Sequence, residues 1–180
     1  MDERHRRFEA LALPHLDAAY NLALWLTHSR PDADDIVQEA MIRALRSFDG
    51  FRGDNVKPWL LAIVRNCHLT AAKRRQSRRQ VPLEGGAEEP PAQMASPEAN
   101  PEEASIRAGE QRRLDAVLRV LPEDYREVLI LREMEDMAYR DIAQVTGVPI
   151  GTVMSRLARA RAALRDKWIA ETERGVHGLR

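Results

Sequence analysis

Between residues 65 and 79 the chain carries Arg65, Lys73, Arg74, Arg75, Arg78 and Arg79 and no acid. So one-sided a run suits phosphate neutralisation, because each cation that displaces a counterion from a polyanion gains free energy. A second set, Arg156, Arg159, Arg161, Arg165 and Lys167, stands against the single acid Asp166. Helical spacing puts Thr152, Ser155, Arg156 and Arg159 opposite Val153 and Leu157. Hydroxyl and guanidinium groups on one helix face match the base edges of a major groove. The competing reading is a solvated face in an ordinary helical bundle, which most charged helix faces are. A third set is the segment Asp49–Pro58, DGFRGDNVKP, in which Phe51 and the following Trp59 flank Arg52, Asn55 and Lys57. Aromatic and cationic groups on a loop suit an unstacked base. The alternative is that both rings anchor helix ends, and for Trp59 that is the preferred reading.

Other chemistries find little support. No nucleophile lies near a base, no metal-ligand spacing occurs, and no glycine loop offers itself to a phosphate. The five histidines, His5, His15, His28, His68 and His177, are scattered. No catalysis, cofactor or metal is expected. Asp34 and Asp35, in DADDIVQEA, sit where acids complement a helix dipole. A protein contact through Asp35, Gln38 and Glu39 is equally compatible, while a metal would need more converging ligands. Cys67 and His68 are neighbours and so point to different sides of a helix; a buried thiol and a surface imidazole are expected.

The elements that must position these residues read as helices throughout. Apolar residues recur with helical period and nowhere alternate as in a strand, so the fold class is all-α. Phe8 to Thr27 forms the first pattern, with Pro14 marking a first turn or a kink. Ser29–Asp32 reads as a loop, with Asp32 capping a helix that buries Ile36, Val37, Ala40 and Ala44. A third helix begins near Trp59 and ends in the basic run. From residue 80 to 101 proline, glycine and glutamate dominate, which predicts a flexible linker. A second bundle follows over 102–171: a helix ending at Pro122, another over Asp124–Met134, and a helix pair broken at Gly147. A short helix, a glycine turn and a second helix form a helix-turn-helix. Beyond Trp168 the polar tail is expected to fray. Net charge is zero overall, yet residues 1–79 carry +4, 80–111 carry −6 and 112–180 carry +2. Two basic units flank an acidic connector. A single cysteine and the lack of an apolar leader or spanning stretch predict a soluble, cytoplasmic protein.

Four stretches, DADDIVQEAMIRALRSFDGFRG, KPWLLAIVRNCHL, LPEDYREVLILREMEDMAYRDIAQVTGVP and GTVMSRLARARAALR, together resemble the extracytoplasmic-function (ECF) sigma factors of bacterial transcription initiation. The resemblance implies a region 2-like unit over 1–79 and a region 4-like unit over 102–171. It implies that Asp34, Asp35, Gln38 and Glu39 dock on the polymerase β′ clamp helices, and that the Leu129–Leu131 side seats the β flap. It further implies that Phe51, Arg52, Asn55 and Lys57 hold a flipped base of the −10 element, with Arg65, Asn66, Lys73, Arg74 and Arg75 along the single strand. Thr152, Met154, Ser155, Arg156, Arg159 and Arg161 would read the −35 element. An anti-sigma factor is the implied inhibitor, with core RNA polymerase and promoter DNA as the working partners. Two positions depart from the family: Met154 replaces a usual Lys or Arg, and Thr70 a common Asp or Asn. The competing function is a stand-alone helix-turn-helix regulator that binds duplex DNA as a dimer, although no sustained heptads supply a dimerisation helix.

Overall fold

Pro14 has no amide hydrogen, so a helix crossing it would lose a bond. The computed structural model, which describes residues 3–53, 55–79 and 101–177, resolves this conflict with a break. Side chains at 78, 79, 101–108, 111 and 173–177 lie outside that description, as do residues 80–100 of the expected 80–101 linker, whose last residue is already helical. Helix α1 (Glu3–Ala12) gives way to a 3-10 turn at Leu13–His15, and α2 (Leu16–Thr27) follows. Pro14 sits at the start of the turn, where its missing donor costs nothing. α2 ends on His28, held left-handed at φ 55°, whose N–H reaches the Leu24 carbonyl at 2.8 Å.

Helix α3 (Arg30–Ser47) starts at once. Ser29 caps it, accepting the Asp32 N–H at 3.4 Å, with Pro31 in the first turn. The expected Ser29–Asp32 loop is therefore helix, and a serine rather than Asp32 is the cap. Asp32 instead pairs with Arg75 at 2.7 Å. α3 leads through a turn at Phe48–Gly50 to α4 (Val56–Arg79), whose first turn is capped by Asn55 accepting the Lys57 N–H at 3.1 Å.

In the second half, α5 (Pro101–Arg119), α6 (Glu123–Leu129), α7 (Tyr139–Thr146) and α8 (Ile150–His177) are all helical. Val128, Leu129, Ile130 and Leu131 are all buried, which leaves that stretch without a solvent face. α6 accommodates this by widening into a π-helical turn over Ile130–Met134, closed by the Glu135 N–H on the Ile130 carbonyl at 3.1 Å. One continuous α-helix to Met134 was expected; the insertion of the π turn replaces it. α8 also runs on past Trp168 instead of fraying there. Arg113 lies over the Trp168 ring at 4.7 Å and contacts Thr172, which ties the extension to α5.

The described residues contain helices and no strand. The two halves do not stand apart. α4 packs against α7, α2 against α6, and the buried side chains of both halves form one continuous cluster. Arg126 joins them. Buried at 8% exposure, it spends all five of its N–H groups. Three go to the C-terminal carbonyls of α5 and its exit, Leu118 at 3.1 Å, Arg119 at 3.4 Å and Leu121 at 3.1 Å. The other two cross to the first half, to the Trp25 carbonyl at 3.2 Å and the His28 imidazole. Two helix C-termini thus converge on one cation, each bringing orphan carbonyls and the negative end of a dipole. Arg126→Met keeps the packing volume but orphans these acceptors, and should cost roughly 3 kcal/mol in a denaturant titration.

Candidate nucleic-acid interface

The loop before α4 is built on stacked rings. Phe51 lies 5.0 Å from Trp59 and 6.3 Å from Phe48, and Phe8 meets Phe48 edge-on at 5.3 Å. Both Phe51 and Trp59 are half-buried in this cluster, which gives the helix-anchor alternative for both of them. The groups left facing outward are Arg52 and Asn55. Further along α4, Asn66, Lys73, Arg74 and Arg75 are exposed, and Arg75 leans on Asp32.

Two other cations of this surface are occupied. Arg65 donates to Glu127 at 2.6 Å, and the Lys57 ammonium lies 2.8 Å from the Glu135 carboxylate and 2.9 Å from its carbonyl. Both acids belong to the second half. His68 follows the same pattern. It is not the surface imidazole expected but is 9% exposed and lies 3.2 Å from Glu123 of α6. Cys67 is buried as expected, and burial pushes its thiol pKa up. Burial likewise raises the Glu127 carboxyl above its ordinary range, against the opposing pull of Arg65. His28 is lowered to about 4 by burial first and then by Arg126 and Arg119, which fits a neutral ring accepting from Arg126. Burial lowers His68 as well.

The helix-turn-helix forms as the sequence implies. Gly147 adopts φ 70° and its N–H reaches the Ala143 carbonyl at 2.9 Å, closing α7. The Pro149 carbonyl then accepts from Thr152 at 2.9 Å and Val153 at 3.1 Å to open α8. Val153, Leu157 and Ala160 are buried, while Met154, Ser155 and Arg159 face out. Thr152 is half-buried. Arg156 and Arg161 are held within the second half, on Asp124 and Glu133, both at 2.7 Å.

On α3, Asp34, Asp35, Gln38 and Glu39 are exposed, and Glu39 holds Arg43 at 2.6 Å. Asp34 and Gln38 rim a cleft of about 580 Å³ floored by Leu16, Val37, Met41 and Ile42. Leu129 and Leu131, expected to present a polymerase seat, are 3% and 0% exposed. Both side chains lie in the interior and cannot themselves be touched. Sequence reasoning missed Glu123, Glu127, Glu135, Arg126 and His28. The local signal for Arg126 and Glu127 is a charged pair that directly precedes four consecutive apolar residues, Val128–Leu131.

Residues 11–79 match the family model for Sigma-70 region 2, and residues 111–164 that for Sigma-70, region 4. The chain is 36% identical over 163 residues to the RNA polymerase sigma-H factor of Pseudomonas aeruginosa, covering 88% of this chain and 84% of that one. It is 33% identical over 159 residues to the ECF RNA polymerase sigma factor SigE of Mycolicibacterium smegmatis, and spans 60% of that longer protein. Its fold is similar to the sigma factor RpoE of Bartonella quintana, solved in complex with the anti-sigma factor NepR (TM-score 0.70, 30% identity, 90% of this chain and 96% of that one). Fold and matched regions define a protein of the sigma-70 class, with a region 2 and a region 4 unit. Within that class the chain belongs to the ECF RNA polymerase sigma factors. It is a transcription initiation factor, and membership does not favour the stand-alone dimeric regulator. Members of this family are generally regulators without enzymatic activity. Among the described residues no helix is long and apolar enough to cross a membrane.

The buried histidine has a pH consequence. Above about 6.5 His28 is neutral both folded and unfolded; below it the unfolded chain takes the proton first, so stability is lost as pH falls from about 6.5 towards about 4. His68 adds the same sign, whereas the raised Glu127 opposes it, stability being lost there as pH rises. His28→Gln isolates the imidazole: the fall in urea midpoint between pH 7 and pH 5 should be shallower in that variant than in the parent.

Proposed function

We infer that this sigma factor binds core RNA polymerase and promoter DNA, with residues 1–79 acting at the −10 element and 102–171 at the −35 element. The observation that carries this reading is the presence in one chain of an exposed basic helix, α4, and an outward-facing helix-turn-helix surface. On α4 and its preceding loop, Arg52, Asn55, Asn66, Lys73 and Arg74 are exposed to meet a melted strand, and Arg75, Lys57 and Arg65 join them on exchanging their carboxylate partners for phosphates. Phe51 shapes the base-holding loop through the aromatic cluster. Extracting bases from a stack costs a few kcal/mol, which stacking and phosphate contacts must offset. In the major groove, Ser155 and Arg159 read directly, flanked by Thr152, Arg156 and Arg161. Met154 offers only apolar contact, so a thymine methyl suits it better than a guanine edge.

The exposed polar surface of Asp34, Asp35, Gln38 and Glu39, with Asp34 and Gln38 at the rim of the apolar cleft, supports docking of the polymerase β′ clamp helices, and the Leu129–Leu131 side is the proposed seat of the β flap. An anti-sigma factor is the natural inhibitor, as the complex formed by the similar RpoE suggests. No catalytic step belongs to the protein, which works in the cytoplasm beside the polymerase.

Purified core polymerase supplemented with this chain should initiate from specific promoters in vitro; no promoter-dependent initiation on fragmented genomic DNA would sink the reading. Arg159→Ala should cost about 1–3 kcal/mol of promoter binding. Asp35→Lys with Glu39→Lys should weaken core binding in a pull-down while circular dichroism stays unchanged.

A further inference from the structure

The second helix of the helix-turn-helix, α8, carries apolar side chains where a solvated face would be polar. Ile150 is 45% and Met154 53% exposed, and Ala158, one turn further, is exposed as well. Both large side chains lie outside the core that Val148, Val153 and Leu157 help to form. At about 100° per residue, Ile150, Met154 and Ala158 fall within roughly 80° of arc, beside the buried face. Ser155 and Arg159 continue the exposed surface on the far side of that arc. The reading face is therefore split into an apolar flank and a polar flank.

Gly151 stands between the two. Glycine is a poor helix former. Its backbone here has no left-handed angle to require it, and a Cβ added there would meet nothing within 4 Å. Nothing inside the chain calls for the missing side chain. Its absence leaves a notch through which the edge of a base pair can approach the helix backbone.

Ser155 narrows the class of base pair. Its hydroxyl donates to the Thr152 carbonyl at 3.0 Å, so its proton is committed and only lone pairs face outward. Those lone pairs accept from an amino group, which adenine N6 and cytosine N4 supply in the major groove. The apolar flank takes a methyl, which thymine alone supplies there. An A·T pair presents both groups; a G·C pair offers the amino group and no methyl. Ile150 and Met154 are separated by about 6 Å of helix axis, close to two base steps of about 3.4 Å.

We propose that α8 selects two A·T pairs within three successive positions of the −35 element, seating thymine methyls on Ile150 and Met154 and accepting from an adenine amino group at Ser155. This selection presupposes the −35 assignment above and adds to it the pairs that are read and the side chains that read them. A guanine set against Met154 would lose water from O6 and N7 and gain no donor, so G·C is disfavoured there on two counts.

The test uses holoenzyme reconstituted from core polymerase and the full chain. Its DNA is the fragment that initiates most strongly in the transcription assay above, with the −35 segment randomised. Duplexes recovered with holoenzyme and sequenced should be enriched in two A·T pairs within three successive positions. Replacing thymine by deoxyuridine at those positions removes the methyl and keeps every hydrogen-bonding group. Each replacement should weaken parent binding about fourfold, equivalent to about 0.8 kcal/mol at ~1.4 kcal/mol per tenfold. Ile150→Ala with Met154→Ala changes two exposed positions and should bind thymine and deoxyuridine duplexes equally well. Arg159→Ala should weaken both duplexes and keep the difference between them. Parent binding indifferent to deoxyuridine overturns the proposal, and so does methyl sensitivity that survives in the Ile150 and Met154 double variant. No initiating fragment, or no enriched −35 sequence at all, sinks the −35 assignment itself, so the two failures are told apart.

Discussion

Everything in this fold depends on a problem that helices create for themselves. Each helix ends with carbonyls that have no partner within it, and here the C-termini of α2 and α5 are brought together in the interior. Only a donor-rich cation can serve both, and Arg126 supplies five N–H groups in a rigid fork. A lysine in its place has three donors on a mobile stem and cannot reach the same set. The left-handed turn at His28 follows from the same demand, since it carries the imidazole back towards the guanidinium with its acceptor nitrogen free.

Around that point the charges are arranged in two tiers. Arg156 and Arg161 are held by acids of their own unit, Asp124 and Glu133, which fixes the second helix of the helix-turn-helix against its own domain. Arg65 and Lys57 are held by acids of the other unit. The first tier positions side chains within a domain; the second makes the relation between domains a matter of electrostatics. Neutral overall charge fits this, since a chain without net self-repulsion can fold its basic and acidic surfaces onto one another.

The aromatic cluster has a comparable double role. Phe8, Phe48, Phe51 and Trp59 join α1, the end of α3 and the start of α4 into one corner. For the proposed base-holding role a rigid loop is an advantage, because ordering it on binding would consume the free energy of stacking. Packing Phe51 inward meets that cost during folding and leaves Arg52 and Asn55 on a fixed frame.

Much of this was legible in the chain alone. Helical periodicity, the Pro14 break, the glycine turn at Gly147 and the alternation of Val153 and Leu157 with an arginine face are local patterns set by neighbours three or four residues apart. Family motifs then identified both units and the residues expected to contact polymerase and DNA. What the sequence could not show is which charges meet. Arg65 and Glu127 are 62 residues apart, Lys57 and Glu135 78, and Arg126 and Trp25 101. The π turn likewise arises where four consecutive apolar residues must all be buried at once, which is a demand of the surroundings and not of the segment. Local periodicity determined the helices and which of their faces are buried. Apolar packing of α4 on α7 and α2 on α6, together with long-range ion pairs, decided that the two units meet in one body, because both burial and the strength of a buried pair depend on solvent exclusion that only tertiary packing creates.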